Sequence, residues 1–373
     1  MGPLAGLKII EFEGIGPAPL AGMLLADMGA EVTVIARKAG IALTKQLGCN
    51  IDLDILQRGK HRVILDLKHP EGVALALDLL SQADALIEGN RPGVMERLGL
   101  GPEECLAKNP RLVYGRLTGW GQEGPLAQAA GHDLNYIALT GLLGLTGGRR
   151  DPQRPPATLA GDAIGALGMA FGIVSAAFEA RDSGKGQVVD AAIVDMVAVL
   201  GSIAHFIHAA GHIGGSQPSA FYDSPFYDLF QCADGEWVSL APLEPQFYAQ
   251  LVERLQLSDV VIKAQYDLAQ WPALKERLTT LFRSEPRAHW CAMLEGSDVC
   301  FAPVLSPMEA AVHPHNVARN TFQTRPIVQA NPAPRFSRTP GKILPVDHQE
   351  QAPLLTTVAQ GRLNQLRQMG VLA

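Results

Sequence analysis

Cysteine is sparse and unpatterned in this sequence. Cys49, Cys105, Cys232, Cys291 and Cys300 are scattered, with no C-x-x-C pair among them. An odd count at irregular spacing fits neither a disulfide framework nor a zinc site, and points to a reducing compartment. Charged residues make up only 18% of the 373 residues, and no basic run stands out. With a formal net charge of −6 the chain lacks the positive surface that tracks a nucleic-acid backbone, so no nucleic-acid partner is expected. Long apolar runs are missing as well. The most apolar later stretch, 193–204, is broken by Asp195 and is too short to span a bilayer. The opening MGPLAGLKII lacks the charged-then-apolar pattern of a secretory signal. These absences lead us to expect a cytoplasmic protein with no membrane partner.

What is present is apolar and periodic. Hydrophobic residues at 47% supply a large core, and the length suits two domains. The opening reads as strand (7–12), glycine turn (14–17), helix (20–28) and strand (32–35), with Gly29 closing the helix. The alternation continues with strand 62–65, helix 70–82, strand 85–87 and strand 112–117. This pattern predicts an α/β fold, a Rossmann-like large domain with a mostly parallel sheet. From 131 to 181 the pattern is largely helical, and 188–193 resumes as strand. The Gly-, Ser- and Pro-rich stretch 211–225 is the expected linker between the first part of the large domain (1–210) and a smaller α+β domain (226–307). Residues 308–373 are expected to return to the large domain and end in a helix over 354–369.

Gly14-x-Gly16 between strand and helix invites a dinucleotide reading, because such a turn lets phosphate approach a helix N-terminus. The third glycine is replaced by Pro19, and the second strand ends in Arg37-Lys38 instead of the acidic residue that binds a nicotinamide ribose. Cations there suit a phosphorylated ribose, as in NADP or coenzyme A; a plain surface turn fits the pattern equally. Further cations (Arg58, Lys60, Lys68, Arg91, Arg97) follow predicted strands or open helices, on the side where open α/β sheets bind ligands.

His132 and Asp133 precede an apolar-periodic segment and read as a helix start. An imidazole there is disfavoured as a cation by the helix dipole, and the following N–H groups can face developing negative charge. Asp162 in Ala160-Gly161-Asp162 occupies the same kind of place, as does Glu244 in Leu243-Glu244-Pro245. Each is equally an ordinary helix cap.

Taken together, the segments EFEGIGPAPLAGMLLADMGAEV, RPGVMERLGLGPEECLAKNPRLVYGRLTGWGQEGP, GHDLNYIALTGLL, GDAIGALGMAFGI, GKGQVVDAAIVD and EPQFY resemble the CaiB/BaiF group, the family III CoA transferases, over nearly the whole chain. Within that group the sequence resembles the α-methylacyl-CoA racemases. The resemblance implies the interlocked family III CoA-transferase fold, a homodimer in which each chain threads through the other. It implies an acyl-CoA thioester as partner and, since coenzyme A is part of the substrate, no cofactor and no metal. Family transferases use the aspartate matching Asp162 as a nucleophile. Racemases carry a histidine matching His132 and the glutamate-proline pair matching Glu244-Pro245. The resemblance thus assigns His132, supported by Glu244, to one face of an enolate, Asp162 to the other, and the Asp133 N–H to the enolate oxygen. It places Ile15, Arg37, Leu65, Lys68, Gly89, Asn90, Arg91, Arg97 and Tyr136 at coenzyme A. Relatives commonly show acidic residue, arginine, proline after the second strand; here Ala36-Arg37-Lys38 stands instead. The proline-rich run 151–156 is ordinary for the family. The expected activity is racemisation of 2-methylacyl-CoA thioesters. The alternatives are CoA transfer through an anhydride on Asp162, a silent CoA-thioester binder, and an NADP reductase on the Gly14 turn alone. Leu142, Leu143, Met169 and the aromatics over 221–226 are candidate acyl-chain contacts that read equally as core.

Overall fold

A computed structural model describes residues 2–38, 40, 54–146, 155–324, 327–345 and 352–373. The chain divides into two compact units. One comprises Met1–Thr140, Pro156–Leu200 and Asn320–Ala373; the other comprises Gly141–Pro155 and Gly201–Arg319. The stretch 211–225, expected as a linker, lies inside the second unit, and the chain returns to the first at Asn320, later than position 308. The expected large-domain stretch 1–210 likewise gives up 141–155 and 201–210 to the second unit. Composition misplaced these boundaries because glycine and proline mark turns within a unit as readily as links between units.

The first unit is built on six strands: β1 (Lys8–Phe12), β2 (Glu31–Ala36), β3 (Lys60–Ile64), β4 (Ala85–Glu88), β5 (Val113–Arg116) and β6 (Val188–Asp190). They pair in the order β3-β2-β1-β4-β5-β6, parallel throughout. The strand order reverses between β1 and β4, and the crevice outside the carboxyl ends of strands at such a switch is where open α/β sheets take ligands. Ile9, Ile10 and Phe12 of β1 are all buried, as expected of a strand covered on both faces. Leu75 and Leu79 of helix Pro70–Leu80 pack into the same core as Ile10 and Leu86.

The first helix begins at Pro17, three residues before its apolar periodicity becomes visible, because proline is preset for the first helical position. The helical region expected over 131–181 resolves into Asp133–Leu139 and Asp162–Ser183. Positions 151–154 of the proline-rich run lie outside the described residues. The strand expected over 188–193 stops at Asp190, and Ile193 opens helix Ile193–Leu200. The helix expected over 354–369 splits into a 3-10 turn, Pro353–Thr357, and helix Gln360–Gln368, with Val358 extended between them.

Among the described residues, Asp162–Ser183, not 193–204, is the helix long and apolar enough to cross a bilayer by length and composition. Its Gly165, Ala166, Met169, Ala170 and Ile173 are buried, with Met169 and Ile173 against Gly115 of β5. Met169 is therefore a core residue and not an acyl-chain contact.

One face of the sheet carries charge. Glu11 on β1 and Lys60 on β3 are both buried and meet at 2.6 Å, although β2 lies between their strands. Two residues on, Arg62 donates to Glu13 at 2.6 Å. Lys60 and Arg62 each lie two positions behind the residue in register with their partner, so their long stems lean diagonally across β2. Burial raises the Glu11 carboxyl and lowers the Lys60 ammonium, against their mutual attraction.

The second unit holds an antiparallel sheet of β7 (Asp228–Gln231), β8 (Trp237–Leu240) and β9 (Phe301–Pro303). Helices Pro245–Arg254, Trp271–Phe282 and Arg287–Leu294 bury Tyr248, Trp271, Phe282 and Trp290 in one core with Phe226 and Phe230. Phe226 sits edge-on to Tyr248 and Trp271, with centroids 5.5 and 5.8 Å away, so it is core in this unit.

Candidate active site

A cavity of ≈ 1300 Å³ opens at the switch point of the parallel sheet. Its floor is the carboxyl ends of the strands: residues 13–19 after β1, 89–92 after β4 and 117–120 after β5 all line it. His132, Tyr136 and Asp162 close one side.

His132 is the N-cap of helix Asp133–Leu139, with extended backbone and an N–H that donates to Asn135 Oδ1 at 3.1 Å. It lines the cavity and is exposed. Asp162 is the first residue of helix Asp162–Ser183 and is half-buried. Its carboxyl is pushed up to about 6, first by loss of water, then by the neighbouring Asp133 carboxylate, with His132 opposing. The two helix starts are tied together by Asp133. Its Oδ1 accepts from the Gly161 N–H at 2.7 Å and the Asp162 N–H at 2.8 Å. Gly161 is needed for that approach, since a Cβ there would lie 2.6 Å from Asp133 Oδ1. The Asp133 N–H finds no acceptor among the described residues, the usual state of a first-turn donor.

The glycine turn takes a different part from the dinucleotide pattern. Gly16 faces Asp162, whose Oδ2 would be 3.5 Å from a Cβ on Gly16. Pro17 and Pro19 remove two donors from the first turn of helix Pro17–Asp27, and the Leu20 N–H is used by the Gly16 carbonyl. A phosphate cradle needs free N–H groups and no facing carboxylate, so this turn is poorly built for one.

The expected binding residues divide cleanly. Ile15, Arg37, Gly89, Asn90, Arg91 and Tyr136 line the cavity; Leu65, Lys68 and Arg97 do not. Leu65 is buried in the hydrophobic core and bridges to Leu372. Lys68 and Arg97 are exposed. Arg37 is held by Glu13, which accepts from its N–H at 3.0 Å and its Nε at 3.4 Å. Asn90 is anchored through its N–H to Glu88 Oε2 at 2.7 Å, while Arg116 donates to the same carboxylate at 3.1 Å and to Glu96 at 2.8 Å. Tyr136 donates to the Gly131 carbonyl and sits edge-on to Trp120, centroids 4.8 Å apart. Gly119 leaves room for that ring, since a Cβ there would lie 2.1 Å from it.

Glu244 caps helix Pro245–Arg254 in the second unit, accepting through its carbonyl from Phe247 and Tyr248 at 3.0 Å each. Arg62, Glu13 and Trp120 line the cavity without having been singled out as ligands. Glu11-x-Glu13 at the end of one strand and Lys60-x-Arg62 on another, both at two-residue spacing, were the available signal.

Residues 4–352 match the model of CoA-transferase family III. The chain belongs to that family. Among family members, the α-methylacyl-CoA racemase of Mus musculus is 39% identical over 342 residues, covering 90% of this chain and 87% of that protein. The acetyl-CoA:oxalate CoA-transferase of Acetobacter aceti is 31% identical, covering 86% of this chain and 85% of that protein. A CaiB/BaiF family protein of Brucella suis has a solved structure that superposes with a TM-score of 0.76 at 25% identity, covering 95% of this chain and 98% of that one. Family III thus includes both racemases and CoA transferases among the relatives of this chain, and its α/β fold is the one described above.

Proposed function

We propose that this family III enzyme is an α-methylacyl-CoA racemase or epimerase that inverts Cα of 2-methylacyl-CoA thioesters. The observation that carries this reading is the placing of two proton-transfer groups, His132 and Asp162, at two helix starts on one cavity. The likeness to the Mus musculus racemase supports it.

In this reading the two groups share one proton. With Asp162 ionised and His132 protonated, the carboxylate takes the Cα proton, leaving a planar enolate. The imidazolium returns a proton to the opposite face, and the thioester is restored with inverted Cα. The other enantiomer runs the sequence backwards. The enolate oxygen takes the Asp133 N–H, a donor already in place before charge develops. Loss of water and the neighbouring Asp133 charge raise the Asp162 carboxyl to about 6, which makes it a better base than an ordinary carboxylate. The likeness assigns Glu244 to support the imidazole. Arg37, Lys38, Arg62 and Arg91 around the cavity are suited to the phosphates of coenzyme A. The scheme uses no cofactor, coenzyme A being part of the substrate. A homodimer belongs to the same proposal: helix Asp162–Ser183 exposes Leu167, Phe171, Val174 and Phe178 as one helical stripe, which a second copy would cover.

The transferase relative supports a second reading, in which the Asp162 carboxylate attacks an acyl thioester, the C–S bond breaks, coenzyme A leaves as the thiolate, and an aspartyl anhydride remains. One assay separates the two. A single enantiomer of a 2-methylacyl-CoA in deuterated water is expected to racemise with one deuterium gained at Cα. Absence of exchange across a panel of branched, sterol-derived and arylpropionyl esters, with hydroxylamine trapping at Asp162 in the presence of an acyl-CoA, establishes the transferase reading instead.

A further inference from the structure

We propose that the Asp133 side chain is a positioning residue: its carboxylate seats the start of the Asp162 helix against the start of the His132 helix and keeps a second negative charge beside the Asp162 base. This rests on the assignment of Asp162 as a base and concerns the side chain, whereas the reaction scheme uses only the Asp133 backbone.

The geometry is that of a brace. Asp133 is 8% exposed, and one oxygen, Oδ1, accepts both N–H groups at the entry to helix Asp162–Ser183, at 2.7 and 2.8 Å. These bonds join segments 28 and 29 positions apart in sequence. The Gly161 backbone packs tightly onto the brace, since a Cβ there would also lie 3.0 Å from the Asp133 carbonyl oxygen. His132 is its immediate neighbour. One residue therefore sets the spacing of the imidazole, the oxyanion donor and the carboxylate base.

An asparagine would accept the same two N–H bonds, so hydrogen bonding alone does not call for a carboxylate. The charge is the difference. A like charge beside Asp162 disfavours its ionised form, which costs folding energy and strengthens it as a base. Asp162 is faced by Asp133, His132 and Tyr136, all from helix Asp133–Leu139 and its cap. Among the described residues, the other packed elements place no further charge on Asp162; Arg91, in the same cavity lining, acts on Tyr136 instead. The turn before helix Pro17–Asp27 presents Gly16, helix Ile193–Leu200 presents Ile193, and Arg116 of β5 is engaged by Glu88 and Glu96.

The test uses the full chain labelled with 13C at aspartate carboxyls, titrated without substrate, with the Asp162 signal identified by its loss in Asp162→Asn. In Asp133→Asn the Asp162 midpoint is expected to fall by about one pH unit. The acid limb of kcat/KM should move by the same amount. Asp133→Ala, which also loses the two N–H bonds, should lose about 10²-fold in kcat with little change in KM, and Asp133→Asn should recover most of it. An unmoved Asp162 midpoint in Asp133→Asn, or wild-type kcat in Asp133→Ala, overturns the proposal. If neither variant folds, Gly161→Ala keeps both carboxylates while driving a methyl into Oδ1. It is expected to lose kcat to a similar degree, and wild-type kcat there overturns the brace. Because the titration needs no turnover, a shifted midpoint in a protein inert towards every acyl-CoA upholds the coupling and sinks the racemase reading alone.

Discussion

Asp162→Asn is expected to lower kcat for racemisation by about 10²–10⁴-fold, the usual worth of a positioned acid–base group. The amide neither takes nor gives a proton, so one face of the enolate loses its partner. The other face keeps His132. The enantiomer whose Cα–H points at the imidazole should still exchange with deuterated water but without inverting, which chiral separation combined with mass spectrometry resolves. Undiminished racemisation would remove Asp162 from the mechanism. In the wild type, kcat/KM should fall tenfold per pH unit below about 6, where the Asp162 carboxyl takes up a proton. The same group links activity to stability. Its folded-state value is raised from 3.8 to about 6, so the folded chain holds that proton more tightly than the unfolded one. Stability therefore falls as pH rises through that window, and the cost is complete above it. Asp162→Asn should accordingly melt at a higher temperature than the wild type at pH 7, a gain in stability for a loss of function.

Lys60→Met is expected to destabilise the first unit by about 3–5 kcal/mol, because it leaves Glu11 buried without its cation. Glu11 is wholly buried, and its second oxygen has no hydrogen-bond partner among the described residues. Its carboxyl is already raised by burial, and without Lys60 it rises further. The deficit should therefore grow with pH above the ordinary value of 4.5 and shrink below it. Lys60 also donates to the Pro19 carbonyl at 2.8 Å, so the variant loosens the first turn of the helix whose Gly16 faces Asp162. Urea unfolding measures the effect, and Lys60→Met with Glu11→Gln should recover most of it. A single variant with the wild-type midpoint would show that the pair contributes nothing.

The α/β alternation was legible because each strand of the parallel sheet is a short apolar run and each crossover helix has its own periodicity. Both are local signals. Local signals also exposed the helix starts at His132, Asp162 and Glu244, since caps are written within a turn of the chain. What they could not supply was distance. The tie from Asp133 to Gly161 and Asp162 spans about 30 positions. The diagonal pairing of Lys60 with Glu11 spans 49, across an intervening strand. Leu65, Lys68 and Arg97 were placed by likeness at coenzyme A yet do not line the cavity. A position near a strand end does not state which way its side chain turns.

His132 and Asp162 illustrate the division most directly. That an imidazole and a carboxylate each open a helix is written locally in the chain, because hydrogen-bonding and dipole preferences act over three or four residues. That both starts face one cavity, that Gly16 stands opposite the carboxylate, and that Asp133 sets a like charge beside it follow from the folded arrangement alone. Those are through-space effects. They depend on which segments the parallel sheet brings to its switch point, and the raised proton affinity of Asp162 exists only once that burial and that neighbour are in place.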